Sequence, residues 1–406
     1  MTAIAAEQVR LMAEAVRLKA DTTEVLADSA APLSSGFSRT QSGFSRTRSF
    51  VIDSAWGFTA LRPEWNALLR DSASASPFLT WEWLHTWWRH LSGTSQLRIL
   101  AVRAGTDLIA VAPFRMTTSS AHLPCLDMLG TGDAGSDYLD IIVRRGWEDE
   151  GLAAIEQFVA SQKTALRLNH LGPTAVADRL SDRLAQRGWT QTTAPGGTCP
   201  YIPLAGHTWD SYLATLGSSH RANVRRRIRA LEQHFTVRFD RVTSEAERRD
   251  LLATLCEYHA RRFDARGTAF GTGATRAFHD EITKRALDRG WLRMYVLRLN
   301  DAPVAVMYGF FYDRTFSFYQ HGFDDRYQQH SIGLVLMGLS IRAAIEEGAA
   351  EFDMLWGVEP YKFLWARDRR ELRNVHLFPA SIAGRIHRSL LHARRTAAGI
   401  VRRHVS

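Results

Sequence analysis

Hydrophobic and polar positions alternate along this chain with two periods, and the order in which those periods follow one another occurs twice. Trp81, Trp83, Leu84, Trp87, Trp88 and Leu91 share one helical face, which predicts a helix over residues 81–91. Its aromatic face is either core or the lining of a substrate pocket. Residues 97–103 and 108–114 are apolar runs rich in Ile, Val and Leu, joined by Ala104-Gly105-Thr106-Asp107 in the pattern of a hairpin. Strands are predicted at 138–143 and 166–171, with a helix over 149–161 between them. In the second half Val224, Ile228, Leu231 and Phe235 fall on one helical face, and Ser218 or Ser219 can cap that helix. Helices over 245–263 and 274–289, strands at 292–299, 303–312 and 315–323, a helix over 333–347 and a strand at 351–356 follow.

Shifting the chain by 195 residues lays residues 97–111 over 292–306 without a gap, with Leu, Arg, Arg, Ala and Val identical at 97/292, 98/293, 103/298, 110/305 and 111/306. The order helix, hairpin, third strand, helix, strand agrees around them, so the chain reads as an internal duplication of one α/β unit. The first fifty residues stand apart. Ser35-Gly36-Phe37-Ser38-Arg39-Thr40 recurs as Ser42-Gly43-Phe44-Ser45-Arg46-Thr47, and this composition cannot build a core. The expected organisation is a disordered extension over 1–50, one copy over 51–205, the second over 206–380, and a tail helix over 381–406.

Composition narrows the class. A chain of 406 residues with 45% hydrophobic and 23% charged residues is large enough for two cored domains, and no apolar run is long enough to cross a membrane. Cys125, Cys199 and Cys256 are in no metal-ligand or disulfide spacing, which predicts no metal site and a reducing, cytoplasmic setting. The start of the chain lacks the ordered regions of a secretory signal. The net charge of +9 is local: residues 372–406 carry seven Arg and no acid, and 211–231 carry five Arg and no acid. These segments are solvated helical faces or they meet an anionic partner. In the tail, Ile382, Ile386, Leu390, Ala393, Ala397 and Ile400 make an apolar stripe flanked by Arg, suited either to an anionic membrane surface or to docking on the protein itself.

The two copies differ where chemistry is expected. The second has Ser331-Ile332-Gly333 at the start of a helix, where free N–H groups and the helix dipole suit a pyrophosphate. The first has Arg144-Arg145-Gly146 followed by Glu148, Asp149 and Glu150, and acids there repel a phosphate. After the last predicted strand of the second copy comes Glu359-Pro360-Tyr361-Lys362, holding one of only four lysines in the chain. Glu359, with Asp353 on the preceding strand, is a candidate proton acceptor; the alternative is an exposed Glu paired with Lys362. Dinucleotide-binding, phosphate-loop, serine-hydrolase and zinc-protease motifs are missing.

Four segments then point to a family. Pro77-Phe78-Leu79-Thr80-Trp81-Glu82-Trp83-Leu84 with Trp87-Trp88, Ser136-Asp137-Tyr138-Leu139-Asp140, Ser219-His220-Arg221-Ala222-Asn223-Val224-Arg225-Arg226, and Glu359-Pro360-Tyr361-Lys362 with Trp365 occur in this order. Over residues 53–378 the chain resembles GNAT-type acyltransferases of the CelD-like group, labelled for cellulose or polysaccharide biosynthesis and related to the FemAB peptidyltransferases. The resemblance implies tandem GNAT-like domains, each a mixed, mainly antiparallel sheet flanked by helices. It implies acyl-CoA, with acetyl-CoA foremost, bound by the second copy, and transfer to an amine on a small molecule or saccharide. In that reading Tyr319, Gln320 and Gly322 line the thioester, Ser331, Ile332 and Gly333 hold the pyrophosphate, and Glu359, Asp353 and His321, in that order, are the candidate bases. Tyr361, Lys362 and Trp365 shape the acceptor side. Transfer from aminoacyl-tRNA, with the arginines of residues 221–229 on RNA, and a non-catalytic binding protein are the alternatives. A cytoplasmic enzyme is expected, with contact at the inner membrane face as a further option through the tail.

Overall fold

The duplication is visible in the order of elements. The computed structural model describes residues 47–119, 123–262, 269–382, 384–390 and 393. Its first copy contains β1 (Thr47–Ile52), α1 (Ala55–Ala60), α2 (Arg62–Arg70), α3 (Trp81–Leu91), β2 (Gln96–Leu97), β3 (Ile99–Ala104), β4 (Asp107–Ala112) and β5 (Phe114–Thr118). It continues with β6 (Pro124–Met128), β7 (Ile142–Val143), α4 (Glu148–Gln162), β8 (Ala165–Leu171), α5 (Val176–Gln186) and β9 (Thr190–Pro203). The second copy holds α6 (Trp209–Thr215), α7 (Ser218–His234), β10 (Val237–Arg241), α8 (Glu245–Arg262), α9 (Gly273–Asp288), β11 (Leu292–Leu299), β12 (Ala302–Tyr312) and β13 (Thr315–Phe323). It ends with α10 (Ile332–Glu346), β14 (Glu351–Asp353), α11 (Lys362–Trp365) and β15 (Asp368–Phe378).

Eleven strands pair in the order β10-β11-β12-β13-β14-β9-β15-β8-β6-β5-β2, and β1-β3-β4-β7 form a four-stranded sheet. Outward from the β9/β15 pair the two sides match: β14 with β8, β13 with β6, β12 with β4 and β5, β11 with β3 and β2, β10 with β1. Each side has one short parallel pair of three residues, Thr315–Ser317 on Glu351–Asp353 and Cys125–Asp127 on Ala165–Arg167. The centre is a strand exchange, in which β9 of the first copy lies against β14 of the second and β15 of the second lies against β8 of the first. The copies therefore share one continuous sheet, and a cut near residue 205 separates no independent body: Ser45–Ser406 cluster as one unit.

Several expectations change. The third strand of the first copy is β6, not residues 138–143, of which only Ile142 and Val143 are in a strand. Tyr138 has φ of +53°, and a residue in the left-handed region breaks a strand. Residues 47–50, expected in the extension, belong to a strand, because β1 pairs with β3 from Thr47 onward. Residues 1–46, with most of the Ser-Gly-Phe repeat, lie outside the described residues. The helix after Gly217 starts at Ser218, and neither Ser218 nor Ser219 caps it through its side chain. In the first copy Arg98 and Pro113 interrupt the hairpin, so that β2 and β5 stay with the large sheet while β3 and β4 turn into the small one; Pro113 has no N–H to give a ladder.

Period-two alternation sorts the core. Met294, Val296, Val306, Tyr308 and Phe310 pack in one cluster with residues of α3, α8 and α9, whereas Tyr295, Leu297, Ala305 and Met307 pack on the other face with α7 and α10. The aromatic face of α3 is core: Trp81, Trp83 and Trp87 are buried. Thr80 caps this helix by accepting from the Trp83 N–H at 3.3 Å.

Candidate active site

The site arises where two strands part. β13 pairs with β14 over three residues, as far as Ser317 and Asp353, after which Leu355, at φ +55°, turns the chain away. Residues 318–323 remain paired with β12 on one side and, among the described residues, have no strand on the other. A bulge at Tyr319, set between the pairs Tyr308–Gln320 and Gly309–Phe318, adds local twist at the fork. The fork opens a cavity of about 840 Å³. Its walls are β13, the first turn of α10, the end of α8, and the stretch from Met354 to Trp365.

Eleven of the twelve candidate residues read from the sequence come together here. Tyr319, Gln320, His321, Gly322, Ser331, Ile332, Gly333, Glu359, Tyr361, Lys362 and Trp365 all line the cavity. Asp353 does not. Phe352 and Met354 point into the core beside α10, so Asp353, between them on β14, faces the other side of the sheet and opens onto a second, polar cavity.

Helix α10 begins at Ser331 in the left-handed conformation, without a side-chain cap and without an acid in its first turn. Its N-terminal dipole thus faces the cavity uncompensated. A Cβ on Gly333 would lie 3.2 Å from the Phe323 ring, so any side chain here would press on that ring. The corresponding helix of the first copy, α4, carries Glu148, Asp149 and Glu150 in its first turn.

Polar groups around the cavity are held in fixed states. Burial, reinforced by His259, Arg262 and Lys362, pushes the His321 imidazole down to about 3, so it is neutral at pH 7. Its backbone carbonyl accepts a 2.8 Å bond from His259 Nε2. Lys362 is buried and donates to the carbonyls of Trp356 (2.8 Å) and Leu355 (3.3 Å), and pairs with Glu359 Oε2 at 3.1 Å. It is a clamp that shapes the loop. Gly357, at φ +131°, leaves the space that this Glu359–Lys362 pair fills, since a Cβ there would overlap the carboxylate.

The first copy braces the site. Ser136 accepts from Trp83 Nε1 at 2.9 Å, Asp137 from the Trp356 N–H at 2.8 Å, and Tyr138 donates to Asp353 at 2.6 Å. Asp140 accepts from Ser74 Oγ and from the N–H groups of Ile141, Val176 and Ala177, capping α5 from a distance. Tyr319 reaches back to the Ala134 carbonyl. The Ser-Asp-Tyr-Leu-Asp motif is thus a strap between the copies. In the Arg-rich motif, His220 packs its ring on Trp365 (4.8 Å between centroids), Val224 meets Gly338 of α10, and Arg227 donates to the Gln329 carbonyl just before α10.

His259, Tyr258, Trp356 and Leu364 also line the cavity, although no local pattern singles them out. His259 lies on α8, about sixty residues from the strand it bonds, and only packing brings them together. Among the described residues no group of three or more metal-ligating side chains converges.

Residues 218–363, from the first turn of α7 to α11, match the family model of an acetyltransferase (GNAT) domain. A search of curated proteins finds no match. Among solved structures, a conserved protein of unknown function from Bacteroides thetaiotaomicron shares the fold at 14% identity and TM-score 0.53, over 80% of this chain and 98% of that one. FemX does so at 12% and 0.53, over 76% and 95%. L-PGS from Bacillus licheniformis does so at 13% and 0.51, over 82% and 95%. The chain is an acyltransferase with a GNAT domain in its second half.

Proposed function

We propose that the protein transfers an acyl group from acyl-CoA, acetyl-CoA being the first candidate, to the amine of a small molecule or saccharide. One observation carries the reading: the open edge of β13 and the uncapped start of α10 meet in a single cavity large enough for both ends of such a donor. The residues fit that donor. Ile332 and Gly333 present backbone to an anion where the dipole favours it, and the edge of β13 from Tyr319 to Gly322 offers polar backbone groups along an extended chain. When bound, acyl-CoA supplies an acyl group activated as a thioester.

Much of the rate enhancement then comes from positioning, because the fork holds both partners in one place. An amine near pH 7 is largely protonated, so a proton must leave before or during attack. Glu359, at the cavity wall and tethered by Lys362, is the assigned acceptor. His321 is neutral and so weakly basic that it serves better as a hydrogen-bonding wall. Asp353, on the other face of its strand, supports the loop through the Leu355 N–H at 2.8 Å. Placement in polysaccharide or envelope synthesis draws on the four-segment resemblance, and a cytoplasmic setting draws on the acyl-CoA supply and on three free thiols.

The test is calorimetric titration with acetyl-CoA, a longer acyl-CoA, and total tRNA at two salt concentrations. Saturable acyl-CoA binding is expected. Absence of acyl-CoA binding together with salt-sensitive tRNA binding would replace this reading by aminoacyl-tRNA-dependent transfer, in which the arginines of α7 beside the cavity meet RNA.

A further inference from the structure

After β15 the chain turns at Pro379 and becomes helical again, with Ile382 and residues 384–390 in helix. Two features fix how this segment sits. Gly384 approaches the Pro379 carbonyl so closely that a Cβ would overlap it, and His387 is buried with its ring 5.6 Å from Phe378. The helix is therefore seated through Gly384 and His387, and its rotation about its own axis is set. That orientation turns the apolar row outward: Ile382, Ile386 and Leu390, spaced by four, are 69%, 52% and 44% exposed. Among the described residues, the part of the row formed by Ile382, Ile386 and Leu390 does not dock on the protein.

Arg385 borders the row and Arg388 is exposed on the next face round the helix, and no acidic residue occurs anywhere from Leu372 to Ser406. An apolar stripe bordered by arginine and free of acid matches the interface of an anionic bilayer, where the side chains enter the acyl boundary and the guanidinium groups stay at the headgroups. A protein partner or a second copy would have to supply the acids, whereas anionic headgroups supply them everywhere on one plane. The geometry points to this face as a docking surface for an anionic membrane, holding the enzyme peripherally; among the described residues no helix is long and apolar enough to span.

The full-length protein is floated with vesicles of phosphatidylcholine alone and with about one third phosphatidylglycerol, at about 0.05 and about 0.5 M salt. Binding to the anionic vesicles at low salt is expected, falling at high salt and absent with phosphatidylcholine alone. Ile386→Asp lowers the partition by at least about tenfold, as expected from losing one inserted aliphatic side chain. Arg385→Gln with Arg388→Gln lowers it roughly thirtyfold. Both sets change exposed side chains that do not line the cavity, so melting temperature stays unchanged and acyl-CoA binding is retained. No vesicle binding, binding indifferent to lipid charge, or binding unaffected by Ile386→Asp overturns the assignment. So does a shift from dimer to monomer on Ile386→Asp in a protein that ignores vesicles.

Discussion

Tyr138→Phe tests the strap between the copies with the loss of one oxygen atom. Tyr138 donates to Asp353 Oδ2 at 2.6 Å; the carboxyl keeps the Leu355 N–H at 2.8 Å and an Arg370 contact at 3.4 Å when that donor goes. Burial lifts the Asp353 carboxyl from its ordinary value of 3.8 to about 6. A raised folded value means that the neutral carboxyl favours the fold: the contribution is complete below 3.8 and is lost as pH rises through about 6. Asp137, lifted to about 7 by burial and by nearby Asp353, acts in the same direction. The Tyr138 hydroxyl favours the ionised form of Asp353, so its loss hurts most where that form prevails. At pH 8 a charge-assisted bond is removed, worth about 1.5–3 kcal/mol; at pH 5 a neutral one, worth about 0.5–1.5 kcal/mol. Urea unfolding followed by circular dichroism at both pH values measures the difference. A destabilisation below about 0.5 kcal/mol at pH 8, or one larger at pH 5, refutes the role given to this bond.

Three further outcomes are expected. Glu359→Gln retains acyl-CoA affinity by calorimetry while turnover falls by about a hundredfold or more; unchanged turnover removes Glu359 as proton acceptor. Gly333→Val presses side-chain atoms against the Phe323 ring at the start of α10 and lowers acyl-CoA affinity by about tenfold or more, and intact binding would refute the assignment of the α10 start to the donor. Trp83→Ala removes an indole packed 4.8 Å from Phe78, 5.1 Å from Phe278 and 5.4 Å from Tyr319. Its loss costs about 3–5 kcal/mol in urea unfolding, and a cost below about 1 kcal/mol would mean that the aromatic face is not core.

Resemblance and pattern made much of the site legible beforehand, because its chemistry is local. The bare helix start at Ser331–Gly333, the acids at the start of α4, and the Glu359–Lys362 spacing of three are each contained within a few residues. The helices over 81–91, 149–161 and 245–263 were equally readable, since a helical face repeats within one or two turns. The duplication followed from the order of elements. Strand β6, by contrast, carries a Pro and an Asp among five residues and gives little signal, and β9 opens with a Thr-, Pro- and Gly-rich run that reads as loop.

Sequence by itself determined which segments are amphipathic, that one unit occurs twice, and which copy starts its helix without acids. Tertiary structure alone decided the exchange of β9 and β15, because their pairing joins residues nearly 180 positions apart and no local period encodes a partner. It decided that Asp353 faces away from the cavity while Phe352 and Met354 do not, since on a strand one residue of register moves a side chain to the opposite face. It also decided that the arginine-bordered row of Ile382, Ile386 and Leu390 looks outward. A stripe has the same sequence whether it is buried or bare, and here the close seat of Gly384 on Pro379 sets the rotation that exposes it.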